Sequence, residues 1–339
     1  MKLIVQIPCL NEEATLAQTV ADIPRKIDGV AVVEVLVIDD GSSDGTVEVA
    51  RAAGVDHIVR HATNRGLGHA FRTGIDACLR LGADIIVNTD ADNQYAGADI
   101  PRLIEPILRR EASVVIGDRQ TRTLRQFSFA KRRLHALGSR FVSWLSHLDL
   151  PDAVSGYRAI SRDVALQLNI VSPFSYTIEM LIQAGRKRMP VKSVPIRTNP
   201  TTRRSRLFKS IPGFVTRSFT IMVRTYAMYR PLRVFMYFGG LLFAVGLAPI
   251  ARFLYFFSIG RGSGHVQSLV LGGSLVVIGF LTLLIGLLAD LISFNRQLLE
   301  IALEKLRRLE SEPHVPPAGS AAQLSSSAGD EPDQQPRSD

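Results

Sequence analysis

Two apolar runs in the C-terminal third constrain this chain more than any other feature. Val234–Ala251 and Leu269–Ala289 are almost unbroken in apolar residues. Each reaches the ~18-residue length that marks a membrane-crossing helix. Each can cross a hydrocarbon layer roughly 30 Å thick. Two buried helices of a soluble core are the competing reading, and the length argues against it. The turn-rich Ser258–His265 joins the runs into a hairpin whose arms are 232–257 and 267–294. Arg296, Lys305, Arg307 and Arg308 follow the second run, while the middle loop holds Arg261 and the first run ends on Arg252. Basic residues favour the cytoplasmic side, so an integral membrane protein with both termini in the cytoplasm is expected.

The N-terminal run Leu3–Leu10 is short, interrupted by Pro8 and followed by acidic residues, unlike a secretory signal. The first two hundred residues are therefore expected in the cytoplasm. Cys9 and Cys78 make no disulfide framework, which fits a reducing compartment. The net charge is +9. The tail beyond Glu310 carries Glu312, Asp330, Glu331, Asp333 and Asp339 against Arg337, so the basic surplus lies in the rest of the chain. Anionic lipid and a diphosphate ligand fit that surplus beside a membrane hairpin, and nucleic acid is not the expected partner.

Residues 1–120 alternate short β-branched runs with helical ones. Strands are predicted at Lys2–Ile7, Val33–Asp39, His57–Arg60, Asp84–Thr89 and Ser113–Gly117, with helices at Glu12–Lys26 and Gly68–Leu81 between them. This alternation predicts an α/β fold with a mostly parallel sheet covered on both faces. Such sheets bind ligands beyond the carboxyl ends of their strands. Residues 120–205 are less regular and rich in arginine, with one more strand in Met189–Thr198. From Leu207 to Tyr229, apolar residues interleave with Lys209, Arg217 and Arg224, a pattern expected of a helix in the membrane surface. A solvated helix packed on the catalytic part is the alternative. The expected organisation is a catalytic domain over 1–206, interfacial helices over 207–231, the hairpin over 232–295, a cytoplasmic helix end over 296–310, and a disordered tail over 311–339.

Asp90-Ala91-Asp92 follows the apolar strand Ile85-Ile86-Val87 directly. Two carboxylates one residue apart at a strand end can converge on one hard cation. Mg²⁺ or Mn²⁺ prefers oxygen donors and commonly bridges a carboxylate to substrate phosphates. A pair of turn or helix-capping aspartates is the simpler reading of these two residues alone.

Further motifs stand around them. Pro8-Cys9-Leu10-Asn11-Glu12-Glu13 ends the first strand, and Asp39-Asp40-Gly41-Ser42-Ser43-Asp44-Gly45-Thr46 ends the second. Asn64-Arg65-Gly66-Leu67-Gly68 precedes a helix. Then come Asp90-Ala91-Asp92-Asn93-Gln94, Gly117-Asp118-Arg119 and Ser155-Gly156-Tyr157-Arg158. In this order and spacing the chain, over roughly residues 2–210, resembles the family 2 glycosyltransferases with a GT-A fold. The Asp-Ala-Asp-Asn-Gln form and the hairpin narrow the likeness to the polyprenyl-phosphate branch, which includes dolichol-phosphate mannose synthase and bactoprenol glucosyltransferase.

The resemblance implies roles residue by residue. Asp40 would bind the nucleobase. Pro8, Leu10, Asn11, Glu12, Asn64, Gly66 and Ala91 would line the nucleotide-diphosphate sugar. Asp90 and Asp92 would hold the metal, with Gln94 as a further ligand. Arg119, Arg132 or Arg133, and Arg203 fall where that branch binds phosphate, Arg119, Arg132 and Arg133 being assigned to the acceptor. Cations are needed there because donor and acceptor are both anions, and guanidinium suits phosphate oxygens. Each arginine can also be read as a solvated surface charge, and Arg158 either braces a loop or touches ligand. Asp152 is the base expected if the acceptor is a hydroxyl. The implied reaction is inverting transfer of a hexose from a UDP- or GDP-sugar to a polyprenyl phosphate at the cytoplasmic membrane face.

Two other readings compete. A polysaccharide synthase would have more spanning helices and a Gln-x-x-Arg-Trp motif, but the one tryptophan lies in Phe141-Val142-Ser143-Trp144. A non-catalytic nucleotide-sugar scaffold fits poorly with Asp90, Asp92 and the clustered arginines. Gly239-Gly240 and Gly272-Gly273 offer small helix surfaces through which copies of the chain can pack as a homo-oligomer.

Overall fold

The computed structural model describes residues 1–120, 150–171, 176–199 and 231–311, together with 140, 142, 143, 146 and 148. The expected interfacial segment before residue 231, the acidic tail, Trp144 and the expected phosphate-binding Arg132, Arg133 and Arg203 lie outside the described residues.

Among the described residues, seven strands form one sheet in the order β3-β2-β1-β4-β6-β5-β7. They are β1 (Lys2–Cys9), β2 (Val32–Asp39), β3 (His57–Arg60), β4 (Ile85–Asn88), β5 (Val114–Asp118), β6 (Arg158–Ser161) and β7 (Val191–Pro195). All pair in parallel except β6, which runs antiparallel between β4 and β5.

Burial on both faces is why these strands read as continuous apolar runs. Leu3, Val5 and Ile7 of β1 enter the core on one side, and Ile4 enters the core on the other. Helices α1 (Leu16–Ala21), α2 (Thr46–Ala52) and α4 (Ile100–Leu108) lie over the first side. Helices α3 (Leu67–Arg80), α5 (Arg162–Gln167) and α6 (Tyr176–Arg186) lie over the second. The helix expected over Glu12–Lys26 is shorter than its apolar pattern, because Pro24 cannot continue it and Glu12 to Thr15 make the turn that enters it.

The antiparallel β6 lies in the stretch expected to be irregular. It matters for the site. A strand running backwards brings its leading loop, residues 152–157, to the edge where the parallel strands end.

Helices α7 (Pro231–Ser258) and α8 (Val266–Ser311) form the hairpin. Both are long and apolar enough to cross a membrane, with mean hydropathy 2.0 and 2.7. Glycines let their backbones approach. A Cβ on Gly279 would meet Phe243 N at 2.7 Å, and one on Gly272 would meet Gly246 O at 2.7 Å. Gly239 faces Gly279 O in the same seam. The small surfaces expected to join separate copies are thus half consumed within one hairpin: Gly239 and Gly272 pack internally, and Gly240 and Gly273 face open space.

Helix α8 is unbroken, about 69 Å at 1.5 Å per residue, so the expected hairpin arm and helix end are one rod. Its last turns reach the sheet domain. Arg307 pairs with Asp76 of α3 at 3.1 Å, Arg296 approaches Glu179 of α6 at 3.9 Å, and Arg308 approaches Asp163 of α5 at 3.8 Å. The arginines that flank the apolar run therefore also clamp the domain.

Candidate functional site

Because β1, β2, β4 and β5 are parallel, Cys9, Asp39, Asn88 and Asp118 end on one edge of the sheet. The loops that follow them interlock. Asn11 adopts a left-handed backbone (φ 55°), and its N–H donates to Ser42 Oγ at 2.9 Å while its Oδ1 accepts from Ser43 N–H. Glu12 N–H donates to Thr46 Oγ1 at 2.9 Å, and Glu13 Oε2 accepts from Gly45 N–H. Pro8 is buried within β1 opposite Ile38, while Leu10 is half-buried at the strand's exit.

Asp40 is 4 % exposed. Its Oδ1 accepts from Arg65 N–H at 2.9 Å, and its Oδ2 accepts from Gly66 N–H at 2.8 Å. His61 Nδ1 lies 2.7 Å from Oδ1. Gly66 (φ 92°) also donates that N–H to Asn64 Oδ1, so it is engaged within the loop. Asp40 and Asn64 take the Gly66 N–H. Gly41 has a positive φ, and a Cβ there would meet Thr63 C at 2.7 Å, so residues 63–64 pack directly on the strand end.

Asp90 and Asp92 leave β4 toward this edge. The Ala91 carbonyl between them accepts from the Thr19 hydroxyl at 3.0 Å and lies 2.8 Å from the Thr15 hydroxyl. Thr15 Oγ1 is also 3.1 Å from Glu12 Oε2, so α1 ties the first motif to the aspartate pair. Ala91 contributes through this anchored carbonyl, its side chain being buried. Asp92 Oδ1 caps Gln94 N–H at 3.1 Å. Asn199 pairs with Asn93 O and Gln94 O, which brings the chain beyond β7 alongside the same loop.

Gly156 forms the floor beneath Asp90. A Cβ there would sit 3.0 Å from both carboxylate oxygens. Gly156 N–H donates to the Tyr95 hydroxyl at 3.0 Å, and that hydroxyl hydrogen-bonds Asp90. Asn88 Nδ2 donates to Gly156 O at 3.0 Å and to the Tyr176 hydroxyl at 2.8 Å. Burial, followed by the charge of Asp92 and that of Glu12, pushes the Asp90 carboxyl up to about 7, against the pull of Arg119.

Arg119 follows β5 and is held by Asp152 through two hydrogen bonds, at 2.7 and 3.0 Å. Burial works against its charge, but Tyr95 and the carboxylates of Asp152 and Asp90 outweigh this and hold the guanidinium firmly protonated. Asp152, the residue named as a base for a hydroxyl acceptor, therefore orients a cation in this fold. Arg158 is 1 % exposed and donates to the carbonyls of Ser155, Thr177 and Ala153, so it braces the floor loop.

The carboxylate set suits a hard divalent cation. It offers oxygen donors only, and its like charges already disfavour ionisation of Asp90. Among the described residues no three His, Cys, Asp or Glu side chains gather as a complete cage. The sequence motifs disclosed Asp90, Asp92 and Arg119, but not Tyr95, Asn88 or Tyr176. None of these three falls in a spaced motif, and each acts by contact across the fold.

Residues 4–168 match the family described as glycosyl transferase family 2. The undecaprenyl-phosphate mannosyltransferase of Micrococcus luteus is 30% identical over 206 residues, 58% of this chain and 83% of that one. The glycosyltransferase AglJ of Haloferax volcanii is 28% identical over 312 residues, 89% of this chain and 95% of its own. The chain belongs to glycosyl transferase family 2. Among solved structures, glucosyl-3-phosphoglycerate synthase of Mycobacterium tuberculosis, in complex with Mn²⁺, UDP-glucose and phosphoglyceric acid, superposes with a TM-score of 0.52 at 22% identity. The match covers 67% of this chain and 78% of that one. The fold is GT-A, as the motif order implies.

Proposed function

We propose that this protein transfers a hexose from a UDP- or GDP-sugar to a polyprenyl phosphate at the cytoplasmic membrane face, with inversion. The observation that carries the reading is the meeting of the Asp90–Asp92 pair with the firmly charged Arg119 at one sheet edge, on a domain clamped to a hairpin of membrane-crossing length. Relatives named as undecaprenyl-phosphate mannosyltransferase and polyprenol monophosphomannose synthase support a lipid-phosphate acceptor.

In this reading residues 1–206 are the catalytic unit. Asp40 and the loops 8–12 and 64–66 hold the nucleotide. Asp90 and Asp92, with Gln94, would hold Mg²⁺ or Mn²⁺, which supplies positive charge against the departing diphosphate. The lipid phosphate is largely dianionic at neutral pH, since its second pKa is about 6, and needs no strong base. One of its oxygens bonds to the anomeric carbon while the bond to the donor diphosphate breaks. The nucleoside diphosphate leaves, and no proton need move. Arg119, oriented by Asp152, lowers the repulsion between the two anionic reactants, joined by Arg132 or Arg133 and Arg203. The tight floor at Gly156 fixes the place of Asp90, and a cation held by Asp90 and Asp92 would add to the positioning of the reactants.

The test is transfer of labelled sugar to polyprenyl phosphate by the full-length protein, read after lipid extraction. Lipid-linked product with Mg²⁺ or Mn²⁺, lost in excess chelator, is expected. Full turnover in chelator would overturn the metal assignment. A soluble sugar alcohol used as efficiently as the lipid phosphate would overturn the acceptor.

A further inference from the structure

We infer that His61 is a positioning residue for the donor nucleotide, setting the orientation of the Asp40 carboxylate and, through it, the Asn64–Gly66 loop. The inference rests on the proposal that Asp40 and this loop bind the nucleotide. His61 follows β3 directly and is buried. Its Nδ1 lies 2.7 Å from Asp40 Oδ1, and its Nε2 lies 3.0 Å from Thr73 Oγ1 on α3.

A carboxylate only accepts hydrogen bonds, so the His61–Asp40 contact needs the proton on Nδ1. In neutral imidazole Nε2 then accepts, and the Thr73 hydroxyl must donate to it. In that form Thr73, His61 and Asp40 make a chain in which every donor points the same way, whereas an imidazolium would donate from Nε2 to Thr73 Oγ1; the donation from Nδ1 to Asp40 is common to both.

Asp40 has about four lone-pair sites. His61 and Arg65 N–H fill Oδ1, and Gly66 N–H takes one site on Oδ2. Among the described residues one site on Oδ2 takes no hydrogen bond. With His61 in place the carboxylate plane is set by α3 on one side and the 64–66 loop on the other. The free site then has one direction. Without His61 the carboxylate can turn about its own axis, and the loop loses its support. Residues 63–64 pack on the strand end at Gly41 in any case, so what His61 adds is the direction of the carboxylate and of the Arg65 and Gly66 N–H groups that it accepts.

The test titrates full-length protein in detergent with UDP and with GDP by calorimetry, alongside transfer kinetics. The variants are Asp40→Ala, His61→Ala, His61→Gln, His61→Asn and Thr73→Val. The Asn side-chain amide can reach Asp40 as Nδ1 does, whereas the Gln amide matches the Nε2 position. We expect His61→Ala and His61→Gln to weaken the preferred nucleotide about tenfold or more, and His61→Asn to restore most of the loss. The KM for polyprenyl phosphate should stay unchanged throughout. Thr73→Val, the mildest variant, should weaken nucleotide binding about threefold, which keeps the idea testable if His61→Ala fails to fold.

Unchanged nucleotide affinity in His61→Ala, with affinity lost in Asp40→Ala, would overturn the role of His61 alone. Equal losses toward nucleotide and acceptor in every His61 variant, the Asn variant included, would also overturn it, since that is what general loosening gives. Wild-type protein binding neither nucleotide would overturn the donor reading itself, and this inference with it.

Discussion

Asp152 grips Arg119 with both carboxylate oxygens, Nε to Oδ2 at 2.7 Å and the other donor to Oδ1 at 3.0 Å. The pair joins the end of β5 to the loop ahead of β6. A long guanidinium is thereby held on the cleft edge in one orientation. Asp152 itself is buried, so its charge is tolerated because Arg119 neutralises it.

The first prediction follows from that dependence. Asp152→Asn should lower kcat/KM for transfer about ten- to a hundredfold, close to the loss in Arg119→Ala, because the cation loses its fixed direction. The double variant should be little worse than either single one, since both remove one device. Fully additive losses in the double-mutant cycle would show that the two residues act separately.

Asp90 should separate stability from catalysis. Its folded carboxyl sits at about 7 against an ordinary 3.8, raised first by burial and then by Asp92. Below about pH 4 folded and unfolded states both hold the proton, and no penalty exists. Between about pH 4 and 7 the unfolded chain releases it while the folded chain keeps it, so stability falls as pH rises. Above about pH 7 the full penalty is present. Asp90→Asn removes it and should stabilise the metal-free protein at pH 8 by about 1–4 kcal/mol, with little gain at pH 4, while abolishing transfer. Denaturation with chelator present at both pH values measures the gain. Mg²⁺ or Mn²⁺ should raise the melting temperature of the wild type and not of this variant.

The hairpin glycines divide into two groups by what lies opposite them. Gly279→Val and Gly272→Val place a side chain 2.7 Å from the facing backbone, and backbone cannot move aside cheaply. Each should cost about 1–3 kcal/mol or more and lower the melting temperature in detergent. Gly240→Val and Gly273→Val meet nothing within 4 Å and should be tolerated. Tolerance in both groups would mean that the two helices do not pack as described.

The clamp between α8 and the domain is open to charge reversal. Arg307→Glu sets a carboxylate against Asp76 and should loosen the domain, seen as faster proteolysis between the sheet domain and the hairpin and as slower lipid transfer. Adding Asp76→Arg restores the opposite charges and should recover both. The single reversal should leave nucleotide affinity unchanged, because Asp76 lies in the C-terminal half of α3, whereas the Asn64–Gly66 loop leads into its N-terminal end.

Topology supplies a further expectation. If both termini are cytoplasmic, a reporter at Gly262 and one at Asp339 should label from opposite sides of the membrane. Labelling from one side would mean that the hairpin lies along the surface.

Much of the fold was legible because its signals are local. Strand periodicity, the parallel β–α alternation and the two apolar runs each follow from consecutive residues, and parallel pairing then forces the loops after β1, β2, β4 and β5 to one edge. Asp90 and Asp92 could be placed at that edge on this ground, whereas Arg119 was singled out by the family likeness. The antiparallel β6 could not, because four residues, Arg158–Ser161, carry too little pattern to oppose a loop assignment. With β6 hidden, so was the way Gly156 comes to lie under Asp90 and Asp152 beside Arg119. Arg158 illustrates the limit. An arginine after Ser-Gly reads equally as ligand contact or brace, and its complete burial among three carbonyls decides for the brace. Likewise, glycine pairs in an apolar helix show that close approach is permitted, but which glycines meet a partner depends on helix rotation within the hairpin. Residue types and spacing thus determined the family, the layered sheet and the chemistry available. Only the tertiary structure decided which polar groups are left to face a ligand, because that depends on partners supplied from distant parts of the chain.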